Sequence, residues 1–296
     1  MQSKVGVTAL QSAQSEKVHA DTALIVEGGA MRSVFSCGLL DGLLSFDFQP
    51  FERYYGVSAG AFNLAAYLAG YEGLSFSIIR DAVFSGRLIG YRRFLAGGHL
   101  LDLDWLESHI FASGLFDPAR VFRNNSALVI VATDVVSGSA RYLLANPDNL
   151  ALLIKASASL PMAYRGFPQI AGRDMTDGGV ADGTPITEAM RRGAKRIMLI
   201  RSRPQGYRKS DTVMHHLIRW KLRRHVRLVE TMRRRVALFE EVRALISNPP
   251  TSVKIVEICP PEDFTMGRIC RQRKQILQGY ELGREQAANA IEAWKA

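Results

Sequence analysis

Short apolar runs that end in turn residues alternate with longer helical stretches, and this alternation predicts an α/β fold with a mainly parallel sheet covered on both faces. Two further observations support it. The strand-like runs are continuously apolar, as strands covered on both sides are, and each of the first two leads at once through a glycine-containing turn into a helical segment. Thr22 to Glu27 (TALIVE) is the first such run and stops at Gly28 and Gly29. Arg32 to Phe46 has too many apolar positions for strand alternation and reads as a largely buried helix. Arg53 to Val57 is the second strand and Ala59 to Leu68 the second helix. Leu101 to Phe111 is amphipathic and helical, and Ala127 to Val136 (ALVIVATDVV) has the β-branched continuity of a central strand, with Arg141 to Leu144 placed to pair beside it. Leu150 to Leu160 is a small-residue helix stopped by Pro161. Lys195 to Arg201 and Val253 to Ile258 supply two more strands, and Cys270 to Trp294 a last helix.

The chain has 296 residues, 47% apolar and 22% charged, a mixture that excludes disorder throughout. No run approaches the ~18 to 20 apolar residues that cross a bilayer as a helix, which excludes a polytopic membrane protein. Cys37, Cys259 and Cys270 are odd in number and irregularly spaced, so they spell neither a disulfide framework nor a zinc cluster and point to a reducing compartment. Residues 1–20 lack the pattern of a secretory signal and read as a disordered polar leader, which makes the cytoplasm the expected location. Residues 21–296 are read as one domain, in which 208–248 form a basic helical excursion and 270–296 a closing helix.

Gly56-Val57-Ser58-Ala59-Gly60 matches G-x-S-x-G, the turn that lifts a serine hydroxyl above the end of a strand at the start of a helix. The helix N-terminus adds partial positive charge where an oxyanion forms. Glu27 to Ser33 (EGGAMRS) ends the neighbouring predicted strand, and its small residues are able to aim successive amides at one point. A dinucleotide loop fits poorly, because G-x-G-x-x-G requires glycine where this chain has Ala30 and Ser33. The histidines after Ser58 are His99, His109, His215, His216 and His225; none follows the last predicted strand, so a Ser-His-Asp triad has no well-placed base. Asp177-Gly178-Gly179 offers another base, a carboxylate on a turn that glycine leaves free to approach a serine directly. Asp102, Asp104, Asp134 and Asp182 compete with it by residue type.

In this order the three elements resemble the motifs of patatin-like phospholipases, D/E-G-G-G-x-R/K-G, G-x-S-x-G and D-G-G/A, here Glu27 to Ser33, Gly56 to Gly60 and Asp177 to Gly179. The likeness runs from about Thr22 to Ile200 and includes Ser157-Ala158-Ser159-Leu160-Pro161, similar to the helix end that precedes the family's aspartate strand. The resemblance implies a three-layer α/β/α sandwich with Ser58 as nucleophile, Asp177 as base and the amides of Gly28, Gly29 and Ala30 as oxyanion donors. Arg32, Gly56, Gly60, Gly178 and Gly179 are then supporting motif positions. It also implies hydrolysis of acyl esters of phospholipids or related lipids, without metal or organic cofactor. Ala30 and Ser33 stand where the family has glycine, and Gly183 where many members have asparagine; Ala30 is expected to resist the φ > 0 backbone that glycine adopts freely. Two other classes share the pattern: a weakly active or inactive lipid- or protein-binding module on the same fold, and an acyltransferase or thioesterase with the same serine elbow, a class that favours a histidine base.

The formal charge of +10 is local. Arg201 to Leu245 carries thirteen Lys or Arg against Asp211, Glu230, Glu240 and Glu241, which leaves the remainder of the chain nearly neutral. Within it Leu222, Val226, Val229, Met232, Val236, Phe239, Val242 and Ile246 recur at helical spacing, while Arg223, Arg224, Arg227, Arg234 and Arg235 fall largely off that seam. An unbroken helix from Asp211 would be about 50 Å long. Either the seam packs on the body or on a second copy and the arginines are solvated, or the helix holds the protein on an anionic membrane, the inner membrane surface for a cytoplasmic protein. Nucleic acid is not expected as a partner, since the arginines lack interleaved aromatics beyond Trp220 and no binding motif accompanies them.

Overall fold

The computed structural model describes residues 21–210 and 213–296; the predicted leader and residues 211–212 of the basic excursion lie outside the described residues. β1 (Thr22–Val26), α1 (Val34–Ser45), β2 (Arg53–Val57) and α2 (Ala59–Leu68) form two successive strand–turn–helix units. Next come α3 (Leu74–Phe84), α4 (Tyr91–Leu95), α5 (Leu103–Glu107), β3 (Ala127–Asp134), β4 (Ala140–Leu144) and α6 (Leu150–Ala158). β5 (Gln169–Ile170), β6 (Arg173–Asp177), α7 (Ile186–Arg191) and β7 (Arg196–Ile200) follow. The chain closes with α8 (Val213–Lys221), α9 (Val226–Ser247), β8 (Lys254–Ile258), α10 (Arg273–Glu285) and α11 (Ala287–Lys295).

The strands run in the order β5-β6-β3-β2-β1-β7-β8, with β4 added beside β3. Every pairing from β3 through β2, β1 and β7 to β8 is parallel. Alternate strand residues feed two cores. Leu24, Val26, Tyr54, Leu128, Ile130, Met198 and Ile200 pack among α1, α2, α10 and α11, while Ala23, Ile25, Tyr55, Val129, Ile197 and Leu199 meet α7 and the far half of α9. Helices on both faces of a mainly parallel sheet make the expected three-layer α/β/α sandwich.

One detail of register decides which strand ends meet. β2 pairs with Ala127 to Val131 of β3 and antiparallel β4 with Val129 to Thr133, so the two occupy opposite edges of β3. Where β2 ends, antiparallel β6 takes over its edge: Val57 faces Val131, and on the next rung Asp177 faces Ala132. Ser58, the residue after β2, and Asp177, the last of β6, are thereby brought to the same place.

Three elements differ from the sequence reading. The long basic helix is two helices, broken at residues 222–225. The break lets Leu222 and Leu228 both turn inward onto Val135 and Met232, and it leaves Val226, read as part of the buried seam, 69% exposed. The rest of the seam faces the body: Val229 and Met232 are buried, and Val242 and Ile246 pack on the second core. The closing helix likewise divides, at Gln286. Strand β6 (RDMTD) has no apolar run to announce it, and forms because β3 extends past β2 with an unpaired edge.

Candidate active site

Ser58 sits at the β2–α2 turn with φ 53° and ψ −129°, a strained conformation that points its side chain away from both elements. The flanking glycines are required by contact: a Cβ on Gly56 would lie 2.5 Å from Ala61 Cα, and one on Gly60 would lie 2.5 Å from the Val26 carbonyl oxygen. The Ser58 amide donates to Ser157 Oγ at 2.7 Å, and Ser157 Oγ donates in turn to the Val131 carbonyl at 2.5 Å. Ser157 therefore ties the elbow to the end of α6 and the central strand.

Asp177 is held from the same segment. Its amide donates to the Ser159 carbonyl at 3.0 Å, its carbonyl accepts from Thr133 Oγ1 at 2.8 Å, and its Oδ1 accepts from the Gly179 amide at 2.8 Å. The other oxygen, Oδ2, is buried without a hydrogen-bond partner. Burial pushes the Asp177 pKa up, while the Ser58 hydroxyl, the Gly179 amide, Arg268 and Lys209 hold it down. Ser58 is thus near enough to stabilise the carboxylate, although no hydrogen bond of good geometry is closed between them; such bonds commonly tighten only once substrate is bound.

The competing carboxylates are committed elsewhere. Asp102 caps α5 through the Trp105 amide, and Asp104 pairs with Lys155 at 2.6 Å. Asp134 accepts from the Val136 and Ser137 amides and meets Arg141 and Arg173. Asp182 lines the cavity beside Ser58, but accepts from Tyr142 at 2.8 Å and from the Thr184 amide at 3.1 Å. No histidine with a described side chain lines that cavity: His99 and His109 stack on Tyr164 and Trp105, His216 meets Arg219, and His225 sits edge-on to Phe167.

Residues 28–30 approach Ser58 from β1; a Cβ on Gly28 would lie 2.7 Å from Ser58 Cβ. The Met31 and Arg32 amides are consumed by the Arg268 and Gly29 carbonyls, whereas the amides of Gly28, Gly29 and Ala30 donate to no acceptor among the described residues. Three backbone donors in the loop beside Ser58 are thus left without an acceptor among the described residues. Ala30 does take the φ > 0 backbone it was expected to resist, at +50°, a placement that costs a non-glycine residue about 1–2 kcal/mol. Ser33 offsets part of this by donating to the Ala30 carbonyl at 2.6 Å, a bond that glycine at 33 does not make. Arg32 is buried beneath the loop, where its guanidinium donates to the Ser202 carbonyl at 3.2 Å and Ser202 Oγ donates to the Gly28 carbonyl at 3.0 Å.

Gly28, Gly29, Ala30, Ser58 and Asp177 all line one cavity of about 580 Å3, which extends under α8 and α9 past Ile218, Met232, Leu238, Phe239 and Val242. The basic excursion therefore forms one wall of the site. Of the five arginines read as lying off the seam, facing solvent or a membrane, Arg223, Arg224, Arg227 and Arg234 are exposed, but Arg235 is half-buried and lines the cavity. Its register explains this: Arg235 lies one helical turn from Met232 and Phe239 on the inward side of α9. Ser157 and Ser202 are the positioning residues missed as such in the sequence; Ser157 had a signal, the small-residue segment before Pro161, and Ser202 had none.

A family described as patatin-like phospholipase matches residues 24–190, and a domain of unknown function (DUF6363) matches residues 225–296. The uncharacterized protein YjjU of Escherichia coli strain K12 is 29% identical over 266 residues, covering 88% of this chain and 74% of that protein. The crystal structure of VipD from Legionella pneumophila aligns with 93% of this chain and 67% of its own, at 12% identity and a TM-score of 0.43. The first match covers more than half of the chain and contains the elbow, the loop beside it and the aspartate turn, and so the chain belongs to the patatin-like phospholipase family.

Proposed function

We propose that the protein hydrolyses acyl esters of lipids through a Ser58–Asp177 dyad and an acyl-enzyme intermediate. The observation that carries this reading is the unpartnered Oδ2 of Asp177 beside the strained Ser58, in a cavity also lined by residues 28–30, whose amides donate to no acceptor among the described residues. Ser58 Oγ attacks the ester carbonyl carbon as its proton passes to Asp177. The carbonyl oxygen becomes an oxyanion that accepts from the amides of residues 28–30. The intermediate collapses, the carbon–oxygen bond to the alcohol breaks, and the alcohol leaves with the proton held on Asp177. Water then repeats the sequence: it gives a proton to Asp177, attacks the acyl carbon and releases the fatty acid, and the proton returns to Ser58. The raised pKa of Asp177 makes it a better base than a solvated carboxylate.

A fluorophosphonate probe tests the nucleophile. Labelling of the wild-type chain that disappears in Ser58→Ala supports the dyad; an unlabelled wild type favours a binding module on the same fold. Release of free fatty acid, with no increase in acylated acceptor when an alcohol or thiol is added, separates hydrolysis from acyl transfer.

Contact with an anionic membrane is the second part of the reading. Leu217, Trp220 and Val226 are exposed at 49%, 56% and 69% beside Arg223, Arg224 and Arg227, and Ile218 of the same α8 lines the cavity. No helix among the described residues is long and apolar enough to cross a membrane, so any such contact is peripheral. Sedimentation with phosphatidylglycerol vesicles checks it: neutralising Arg223, Arg224, Arg227 and Arg234 together should abolish binding, and binding that survives refutes the contact.

A further inference from the structure

A stretch of the cavity wall is cationic. Arg203 and Lys209 follow β7, Arg268 lies in the loop before α10, and all three line the cavity that holds Ser58 and Asp177. None of the three forms an ion pair with a carboxylate among the described residues; Arg203 lies 4.2 Å over the Tyr207 ring and Lys209 Nζ 5.5 Å from the Phe239 ring. Behind them, Arg32 is 4% exposed and its Nη1 has no hydrogen-bond partner. The carboxylates of the same cavity do not answer this charge. Glu27 is engaged by Arg201 at 2.7 Å, by the Ser202 amide and by Thr184 Oγ1; Asp182 by Tyr142 and the Thr184 amide; Glu241 is exposed; and Asp177 belongs to the dyad.

The cations feel one another. Burial, Arg203 and Arg268 bring Arg32 down to about 9, and burial, Arg235 and Arg268 bring Lys209 down to about 8. Like charges gathered in a partly buried wall oppose folding, and a bound anion removes that penalty. An ammonium and guanidinium groups reaching one space from separate segments suit a tetrahedral oxyanion better than a planar one.

We propose that Arg203, Lys209 and Arg268, backed by the buried Arg32, form a phosphate-binding subsite within the active-site cavity. The inference rests on the hydrolase reading for its use: it places a lipid phosphate beside the scissile acyl ester, and it assigns that selection to Arg203, Lys209 and Arg268, which lie outside the segment that matches the patatin-like family, with Arg32 inside that segment. The phosphate belongs either to the lipid head group or to free inorganic phosphate, and two measurements separate them.

Inorganic phosphate is titrated into the Ser58→Ala protein by calorimetry at constant ionic strength, alone and with Lys209→Met or Arg268→Gln added. In parallel, kcat/KM for lysophosphatidic acid is divided by that for monoacylglycerol in the Ser58 enzyme carrying the same two changes. The expected result is saturable phosphate binding weakened about tenfold or more by either change, retained in Lys209→Arg, with the substrate ratio falling by a similar factor through KM. Weakened phosphate binding with an unchanged ratio assigns the subsite to free phosphate. Absence of saturable binding in the Ser58→Ala protein, or binding indifferent to both changes, overturns the proposal. Because the titration needs no turnover, it decides the subsite even if no ester is cleaved, and failure of the hydrolase reading is then seen separately.

Discussion

The two walls of the cavity are built differently. On the wall made by β1, β2 and β6, position is set by backbone pairing and by glycine contacts too close for any side chain, and Ser58 and Asp177 emerge at strand ends. On the wall made by residues 203–209, α9 and the loop before α10, side chains lie on rings and over apolar helix residues, and the charge is mostly positive. In the proposed reaction the first wall fixes where a bond breaks, and the second presents charge and apolar surface to whatever is brought there. Changes in the first wall should therefore stop turnover of every ester, and changes in the second should re-weight substrates. A variant of the basic wall that silences neutral and anionic esters alike would break the comparison.

The largest effects belong to the dyad. Ser58→Ala and Asp177→Asn should each lower ester turnover by on the order of 10⁴-fold, measured as kcat with a soluble ester. Asp177→Asn carries a second signature. The folded pKa is raised, so the stability associated with this group is fully present below the unfolded value and is lost as the pH rises through the folded one. Removing the charge while keeping the acceptor for Gly179 should raise Tm at pH 7 as activity disappears; a lowered Tm counts against a destabilised catalytic carboxylate.

Gly60→Ala comes next. Its Cβ would meet two carbonyl oxygens at 2.5 and 2.7 Å, so the elbow must shift, and roughly 100-fold loss of kcat is expected from a displacement of about 1 Å. Ser157→Ala leaves the buried Ser58 amide without its acceptor, at about 1–3 kcal/mol of stability by chemical denaturation, and should cost kcat more than KM.

Smaller effects sharpen the boundary between the walls. kcat/KM should rise with pH through the raised pKa of Asp177, and since Arg268 holds that pKa down, Arg268→Gln should move the ascending limb to higher pH. A limb that stays would show that the basic wall does not sense the dyad, and one that moves to lower pH would contradict the sign given to Arg268. Smallest is Ala30→Gly, which relieves the φ +50° backbone while giving the unfolded chain more freedom, a net gain of about 0.5–1 kcal/mol.

The wall that carries Ser58 and Asp177 was legible in the sequence because its information is local. Apolar runs mark β1 and β2, and glycines mark the points where backbones nearly touch, so Ser58, Asp177 and residues 28–30 are readable as short motifs in a fixed order. What motifs do not carry is the pairing that joins them: β6 is polar, and its adjacency to β2 follows from β3 being longer than β2. The basic wall was legible as a surplus of charge, but not as part of the site. Arg203, Lys209 and Arg268 belong to no periodic pattern, and whether Arg235 faces the cavity or water depends on the phase of α9 after the break at 222–225. The strain at Ala30 was anticipated from residue type, whereas its acceptance depends on the Ser33 hydroxyl, the other departure from the glycine pattern.

The central claim is a covalent acyl group on Ser58 during turnover, and the direct measurement is rapid acid quench of the protein with a p-nitrophenyl acyl ester, followed by peptide mass analysis. The account predicts acyl mass on the peptide containing Ser58, abolished in Ser58→Ala and no longer accumulating in Asp177→Asn. Turnover without acylated Ser58, or an acyl group carried by another residue, would contradict it.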